Sequence, residues 1–450
     1  MKKTNMTGDY DTKLIASDWR YSAMIVGLKK YFDFFDIEFK ANKDKDYIEY
    51  NAKDITDSRY LQFVEHHYRE YMHHKVIEDI FENEEISEEQ SKLINKKLKG
   101  NAMMEKTFAK LTYEDKKEIL MRIDENREAI IRETYRNGIH MYRKFANENS
   151  LFAEKEKTCR LKGYYVDPGR KTKSVSYMND YNTFIFEDEP EFDFIPFAFT
   201  KSSESIFINN NYNLRTLYET ARKLEDVFTE HREEVGKSTR ELLFNYKQNA
   251  ATFIDYDVEV ITKDIDVDYY KTLYIRKPAI EIFKAINNYK CMMFTKKIGK
   301  DYYIDIQKEV TNSILNLSHI DKIIEMLLKE KTGRAGGLIH INSLIYGGDK
   351  MDQKMKSAYG TALKLKEKFK KESKLNKIDS YRQRLISAIT LKDYDKFCDV
   401  LIQMSAYSQI PFSFSFDLFE NFEENKNVAY TFINALGIEP RKEGKESEEV

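Results

Sequence analysis

Proline is missing from the first 150 residues of this 450-residue chain, and its absence limits what the N-terminal third can fold into. Proline breaks helices because it lacks a backbone N–H and clashes with the preceding turn. The same third carries apolar residues at helical spacing, and Asp18 stands where an N-cap would begin the first helix. We therefore predict helices over about 19–35, 56–82, 87–99 and 112–137, with a short β-hairpin formed by 37–41 and 46–51.

The pattern changes after residue 150, where four of the six prolines fall between 168 and 278. Aromatic and β-branched runs predict strands over 176–186, 194–199, 204–210, 252–262, 270–277, 290–296 and 301–306. Helices over 214–235 and 279–288 interrupt them. Pro196 predicts that the run 194–199 is an edge or bulged strand.

Strand signals stop at about residue 309, and helices are predicted over 313–331, 351–374, 378–389, 392–408 and 425–435. The glycines between 333 and 337 are interpreted as a helix end and linker. The fold class is therefore α+β: a mostly helical N-terminal part, a central mixed or antiparallel sheet region and a C-terminal helical bundle. The predicted domains are 1–308 (helical 1–150, α+β 151–308) and 309–440, followed by a disordered tail over 441–450.

Cations and aromatic rings alternate in the segment 154–177. A phosphate backbone attracts cations and a base stacks on a flat ring, so this mixture suits single-stranded or distorted nucleic acid. The predicted binding residues are Lys157, Arg160, Lys162, Tyr164, Tyr165, Arg170, Lys171 and Lys173. An ordinary solvated surface loop is the competing interpretation.

Two further groups of polar residues suit nucleic acid. Amides both donate and accept hydrogen bonds, so a run of them can read base edges in a groove; this run is Asn209, Asn210 and Asn211. A lysine-rich stretch in the C-terminal bundle predicts a phosphate-binding face, formed by Lys364, Lys368, Lys371, Arg382 and Arg384. Such a face is also typical of a simple solvated helix.

Several function classes lose support from what the sequence lacks. It has no P-loop, nucleophile elbow or dinucleotide fingerprint. Its 74 basic and 76 acidic residues give a net charge of −2, so any attraction of nucleic acid must be local. Three well-separated cysteines favour a reducing cytosol. With neither a signal peptide nor a membrane-spanning run, we expect a soluble, cytoplasmic protein with no membrane partner.

Two metal sites can be imagined, and neither is favoured. Four residues could share one helical face but do not follow the HExxH spacing: His66, Glu70, His73 and His74. Five aspartates could form a magnesium-dependent nuclease cluster, although alternating acids on a strand are typical of its solvent face: Asp255, Asp257, Asp264, Asp266 and Asp268. We predict no metal, no cofactor and no catalytic residue.

Two short motifs resemble one known family. The segment DWRYSAMIVG at 18–27 is similar to the D-W-x-x-x-A-x-x-V-G opening of the large subunit of type I-B CRISPR interference complexes (Cascade). The segment FIPFAF at 194–199 is similar to the F-I-P-F-x-F strand of that family, and an I-N-N turn follows it. Many relatives carry paired CxxC zinc ligands before this strand, whereas this chain has Cys159 alone, so we expect no zinc site.

The resemblance implies a non-catalytic subunit of a guide-RNA-directed DNA surveillance complex. Such a subunit recognises the protospacer-adjacent motif on double-stranded target DNA, helps to open the duplex and recruits the helicase-nuclease. Its C-terminal bundle resembles the small subunit, which lines the path of the displaced strand. The implied partners are the guide RNA, the target DNA, the backbone and handle-binding subunits, the small subunit and the helicase-nuclease. Two other functions remain open: a stand-alone metal-dependent nuclease, and a scaffold that contacts only proteins.

Overall fold

The structure is a computed structural model that describes residues 10–42, 46–83, 85–154, 159–163, 188–202, 204–210, 213–230, 254, 256–300, 302–330, 333–347 and 349–438. The predicted strand 176–186 and the predicted tail 441–450 lie outside these residues. Contacts divide the chain into two compact units, the first formed by 1–233 with 256–275 and the second by 234–255 with 276–450. No helix among the described residues is long and apolar enough to cross a membrane.

The first unit combines helices with two small antiparallel sheets. Its helices are α1 (Trp19–Phe35), α2 (Asp57–His67), α3 (His73–Phe81), α4 (Glu88–Lys97), α5 (Ala102–Thr107), α6 (Lys116–Asn137), α7 (Tyr142–Phe145) and α8 (Leu214–Glu230). Its strands are β1 (Thr12–Ile15), β2 (Lys40–Asn42), β3 (Tyr47–Tyr50), β4 (Glu204–Asn209), β5 (Val258–Asp264) and β6 (Lys271–Ile275). The described sheets have the strand orders β1-β3-β2 and β4-β5-β6. The predicted hairpin is therefore confirmed as β2 and β3, and β1 joins it.

Helix α1 is the centre of this unit. The Asp18 side chain accepts hydrogen bonds from the backbone N–H groups of Arg20 and Tyr21, as an N-cap does. Eleven of its 17 residues are buried, and the helix packs against a nine-residue 3₁₀ helix, Pro190–Ala198. A Cβ atom on Gly27 would lie 2.9 Å from the carbonyl carbon of Phe194 and closer still to its oxygen, so only glycine permits this approach. The two motifs that carry the family resemblance thus pack on each other.

The prediction of a strand at 194–199 is wrong, because residues 194–198 lie within this 3₁₀ helix and Phe199 caps its end. Its rings pack in several directions rather than alternately: Phe194 lies 5.3 Å from Tyr31, Phe197 lies 4.7 Å from Phe63, and Phe199 lies 6.3 Å from Trp19. Pro196 supplies no N–H, which a strand between neighbours would require. The segment is apolar and buried, but its residues do not follow the alternating pattern of a strand.

The second unit is a helical bundle with one hairpin. Its elements are α9 (Lys277–Ala285), β7 (Thr295–Lys297), β8 (Tyr303–Asp305), α10 (Ile306–Leu315), α11 (Asp321–Leu328), α12 (Ala335–Ile345), α13 (Asp349–Lys371), α14 (Leu375–Thr390), α15 (Tyr394–Ser408), α16 (Ser415–Glu420) and α17 (Lys426–Gly437). Helix α17 is buried along nearly all of its length and packs against α11, α12, α13 and α14. It is the central helix of the bundle.

Two local predictions in this unit are wrong. The run 313–331 is two helices, because Leu317 adopts a positive φ of 51° and the Asn342 side chain accepts the N–H of Ile320, where α11 begins. Gly336 and Gly337 lie inside α12 rather than in a linker. A Cβ atom on Gly337 would lie 2.5 Å from the Sγ atom of Cys291, so this glycine lets the helix approach a neighbouring segment closely.

The α+β class is confirmed, with helical N- and C-terminal parts and small antiparallel sheets. The second unit joins 276–450 with 234–255, and the sequence places the bundle at 309–440. Strands β7 and β8 of this unit have three residues each, pair with each other and pack on α10. Strand signals between 290 and 306 therefore belong to a hairpin of the bundle.

Candidate nucleic-acid interface

Most of the predicted basic and aromatic loop lies outside the described residues. This applies to Lys157, Tyr164, Tyr165, Arg170, Lys171 and Lys173, and also to Asn211. The structure describes the two segments that flank 164–187, namely 159–163 and 188–202. The first of these is fixed by backbone hydrogen bonds, from the N–H of Asn147 to the oxygen of Arg160 and from the N–H of Lys162 to the oxygen of Phe145.

Arg160 was predicted to bind nucleic acid, and the structure corrects this prediction. Its side chain has no exposed surface and forms ion pairs with Asp188 (3.1 Å) and Asp193 (2.8 Å). Its guanidinium also donates to the backbone oxygens of Ser150 and Ala153. Burial lowers the pKa of Arg160, but Asp193 and Asp188 outweigh that effect and raise it. Arg160 therefore joins the segment that precedes 164–187 to Asp188 and Asp193, which follow it.

Lys162 is partly accessible. Its side chain is 18% exposed, and its Nζ atom lies 4.0 Å from the carboxylate of Asp268. Burial lowers its pKa, although Asp268 opposes that effect. A weak, half-buried pair of this kind leaves the ammonium group able to turn towards a phosphate.

Asn209 and Asn210 are buried, at 1% and 4% exposure, and so are not placed to read base edges as was predicted. Asn209 is the last residue of β4 and lies opposite Glu259 of β5. Its side-chain amide donates a 2.9 Å hydrogen bond to the Glu259 carboxylate. The Asn209 amide holds the end of the sheet, and neither of the two buried amides faces a groove. The sequence predicted their amide chemistry, but burial depends on the β4–β5 pairing.

The predicted basic face of the bundle is present in part. Lys364, Lys368 and Lys371 follow one another at i, i+4 and i+7 on α13, so they share one side of that helix. Lys364 and Lys371 are exposed, as is Arg384, which donates to the side-chain oxygen of Gln403 at 3.1 Å. Lys368 is half-buried, and its ammonium donates to the backbone oxygen of Ser408 at 2.6 Å.

Arg382, the fifth member of that predicted face, is buried at 3% exposure. Its guanidinium donates to the backbone oxygens of Leu328, Glu330 and Ile433. It donates hydrogen bonds to carbonyl groups at the end of α11 and within α17, which is a structural role. The prediction that Arg382 contacts nucleic acid is therefore corrected.

A more specific arrangement lies where α13 ends, α14 begins and α15 ends. We define the Tyr407 cluster as Lys368, Lys374, Lys377 and Tyr407. The Lys377 Nζ atom lies 2.7 Å from the Tyr407 hydroxyl and 4.2 Å from the ring centroid, and Lys374 Nζ lies 5.5 Å from the same centroid. Tyr407 remains 41% exposed. Hydrogen bonds from Lys377 and Lys374 lower the pKa of the Tyr407 hydroxyl.

The Tyr407 cluster has an excess of positive charge. Within it, Lys374 pairs with the carboxylate of Glu372 at 2.9 Å, and the ammonium group of Lys368 donates to the backbone oxygen of Ser408. Lysines at the end of α13 also complement the helix dipole, so part of their role is structural. An exposed ring surrounded by cations nevertheless offers what single-stranded nucleic acid needs, namely a stacking surface and phosphate partners. Sequence analysis missed Tyr407, because only tertiary packing brings it to the lysines of α13 and α14.

A second exposed surface is the β7–β8 hairpin. Tyr302, Tyr303 and Ile298 are 64%, 54% and 50% exposed. Lys297 lies with its Nζ atom 5.4 Å from the Tyr303 ring centroid. Lys300 is also exposed at the turn. Sequence analysis predicted strands here but did not recognise the combination of exposed rings and lysines as a binding surface.

The described residues contain no group of three or more histidine, cysteine or acidic side chains placed to hold a metal ion. His66 stacks on Phe34, with ring centroids 4.5 Å apart, and His74 pairs with Glu65 at 2.7 Å. Within the aspartate group, Asp257 accepts a hydrogen bond from Tyr274, and Asp255 lies outside the described residues. Both imagined metal sites therefore remain without support from the described part of the chain.

The geometry defines a two-unit α+β protein with exposed surfaces of mixed lysine and tyrosine. The family model described as "CRISPR-associated protein Csx8" matches residues 10–240 and 233–436. This chain therefore belongs to the Csx8 family of CRISPR-associated proteins, and its role lies in a CRISPR system. No curated protein and no solved structure matches the chain.

Proposed function

We propose that this chain is the large subunit of a Cascade-type, guide-RNA-directed DNA surveillance complex, and that it binds nucleic acid without cutting it. The observation that carries the proposal is the Tyr407 cluster, in which the ammonium groups of Lys377 and Lys374 lie 4.2 Å and 5.5 Å from the centroid of an exposed ring, in a chain of a CRISPR-associated family. Cations at such spacing bind phosphates without reading sequence, and base pairing to a guide supplies the specificity.

The two motifs that resemble the type I-B family support that assignment, because both belong to one packed region of the fold. Gly27 of the first motif touches Phe194 of the second, so both are required by one packing contact. This explains why they occur together at a separation of more than 160 residues. They form a core, whereas the contacts with nucleic acid belong to exposed surfaces elsewhere.

Each described surface contacts a different part of the nucleic acid. The Tyr407 cluster and the exposed Lys364 and Lys371 bind a strand of the opened target, along the C-terminal bundle. The rings of Tyr302 and Tyr303 contact unstacked bases, since every base presents a flat face to an aromatic side chain. Recognition of the protospacer-adjacent motif and recruitment of a helicase-nuclease belong to the same proposal.

The test is a salt titration of DNA binding by the full chain, with a matched control. Lys374→Gln with Lys377→Gln removes two cations of the Tyr407 cluster. The control is Lys356→Gln, which removes an exposed lysine of α13 that pairs with Asp352 instead. Each lost phosphate contact flattens the dependence of log K on log salt by about 0.7 on single strands. We expect a slope smaller by about 1.4 for the double variant and unchanged for the control; equal slopes in all three proteins would refute the proposal.

A further inference from the structure

A cleft in the first unit has no assigned role. It lies between α1, α2 and α8 and has a volume of about 600 Å³, within the usual size range of small-molecule sites. The lining residues that matter here are Phe34, His66, His67, Tyr218, Glu219 and Arg222. All of them belong to elements of one unit, so the cleft is complete without any partner.

Two polar atoms of the lining residues are buried without a hydrogen-bond partner. They are the hydroxyl oxygen of Tyr218 and the Nε2 atom of His67. Native proteins rarely leave such atoms unsatisfied, and two of them in one cleft point to a ligand that supplies the missing bonds. Burial raises the pKa of Tyr218 and, with Lys201 and Lys30, lowers that of His67, so both groups are neutral. Neutral groups that donate and accept suit the edge of a heterocyclic base.

Flat rings lie at the opening of the same cleft. Phe34 and His66 are stacked, with centroids 4.5 Å apart and an angle of 29° between their planes. Phe34 is 41% exposed, and His66 is also exposed. Such a pair can continue its stack with one more planar ring.

The charges of the lining limit the ligand further. Lys29 pairs with Asp33 at 2.6 Å, and Lys30 pairs with Glu225 at 2.8 Å. Burial raises the pKa of Glu225, but Lys30 outweighs burial and lowers it, so this pair is ionised. Arg222 is exposed and has no carboxylate within ion-pair distance among the described residues. Glu219 also lines the cleft and is exposed. One available cation in a lining that also carries this carboxylate suits a single phosphate and does not suit a triphosphate.

We infer that this cleft binds one unstacked nucleotide. The base stacks on His66 and Phe34, its polar edge reaches Tyr218 and His67, and Arg222 holds its phosphate. The inference rests on the proposed function, because a strand held by the protein is the nearest source of such a nucleotide. A free mononucleotide has the same chemistry and is the other source.

The experiment uses the full chain and three probes that carry the fluorescent base 2-aminopurine. These are a single-stranded RNA and a single-stranded DNA of about eight nucleotides, and the free monophosphate. The variants are His66→Ala, Tyr218→Phe and Arg222→Gln. Arg59→Gln is the matched control, since Arg59 is an exposed arginine of α2 beside the ring of Phe35 and does not line the cleft.

Loss of one base–aromatic stack in His66→Ala is expected to weaken binding about tenfold, whereas Arg59→Gln leaves it unchanged. Tyr218→Phe is expected to weaken binding a few-fold and to alter the preference among bases. Tighter binding of an oligonucleotide than of the monophosphate identifies a strand as the source, and equal binding identifies a free nucleotide. Wild-type affinity for all probes in all three cleft variants would overturn the inference. If the cleft variants bound normally but the Lys374→Gln/Lys377→Gln variant bound more weakly, the cleft inference would fail and the proposed function would stand.

Discussion

Gly27→Ala tests the contact that joins the two resemblance motifs. Gly27 lies in the middle of α1, and a methyl group there would meet the backbone of Phe194, with a carbon–carbon distance of 2.9 Å and a closer approach to the oxygen. A backbone obstacle cannot rotate away as the end of a flexible side chain can, so α1 and the 3₁₀ helix must separate.

The magnitude follows from two opposed effects. Overpacking a well-packed core costs about 1–3 kcal/mol, and the tight contact here favours the upper end. Replacing a helical glycine by alanine contributes about 1 kcal/mol of stabilisation through helix propensity. The free energy of unfolding should therefore fall by about 2 kcal/mol, the difference between these effects.

The assay is urea denaturation followed by tryptophan fluorescence. Trp19 is the single tryptophan of the chain and lies at the start of α1, beside Tyr270 and Phe199, so its emission reports on the first unit. Gly360→Ala is the matched control, since Gly360 lies in α13 and a Cβ atom there would meet nothing within 4 Å. Circular dichroism should show that the control is stabilised by up to about 1 kcal/mol. A Gly27→Ala protein as stable as the parent would refute the described contact.

Three further predictions use the same denaturation and binding assays. Arg160→Met should destabilise the first unit by about 3–5 kcal/mol at pH 7, because it leaves the carboxylates of Asp188 and Asp193 buried and unpaired; wild-type stability would contradict the buried network. Burial raises the pKa of Glu65, but hydrogen bonds from its neighbours outweigh this and lower it from 4.5 to about 2. Its stabilisation is thus complete above about pH 4.5 and is lost as the pH falls towards 2, so the deficit of Glu65→Gln measured at pH 7 should shrink over that interval. Tyr302→Ala should weaken single-strand binding about tenfold and leave stability unchanged; unchanged binding would remove the hairpin from the interface.

The sequence was most informative where local chemistry decides the structure. The N-cap at Asp18, the hairpin of β2 and β3 and the long helices α6 and α13 follow from caps, turns and helical periodicity. The segment 194–199 was misassigned because its rings pack in three directions around α1, which no period of two or 3.6 describes.

The candidate interface was predicted less well, because sequence shows charge but not burial. Arg160 and Arg382 look like members of basic stretches, yet each is buried among backbone oxygens, and Arg160 also pairs with two carboxylates. Tyr407 lies 30 residues from Lys377, and only the packing of α14 against α15 brings them to 2.7 Å. The family resemblance predicted the CRISPR association, and the family model confirms that association while leaving the subunit and its contacts as proposals.

The most direct test of the proposed function is reconstitution with a guide RNA and the other subunits of the proposed complex. Affinity for double-stranded target DNA is measured with the wild-type chain, without the chain, and with Lys374→Gln and Lys377→Gln. We expect tight, guide-dependent binding without cleavage in magnesium when the chain is present, weaker binding for the double variant, and loss of binding when the chain is omitted. Equal affinity with and without the chain, or cutting of DNA by the chain alone, would contradict the account.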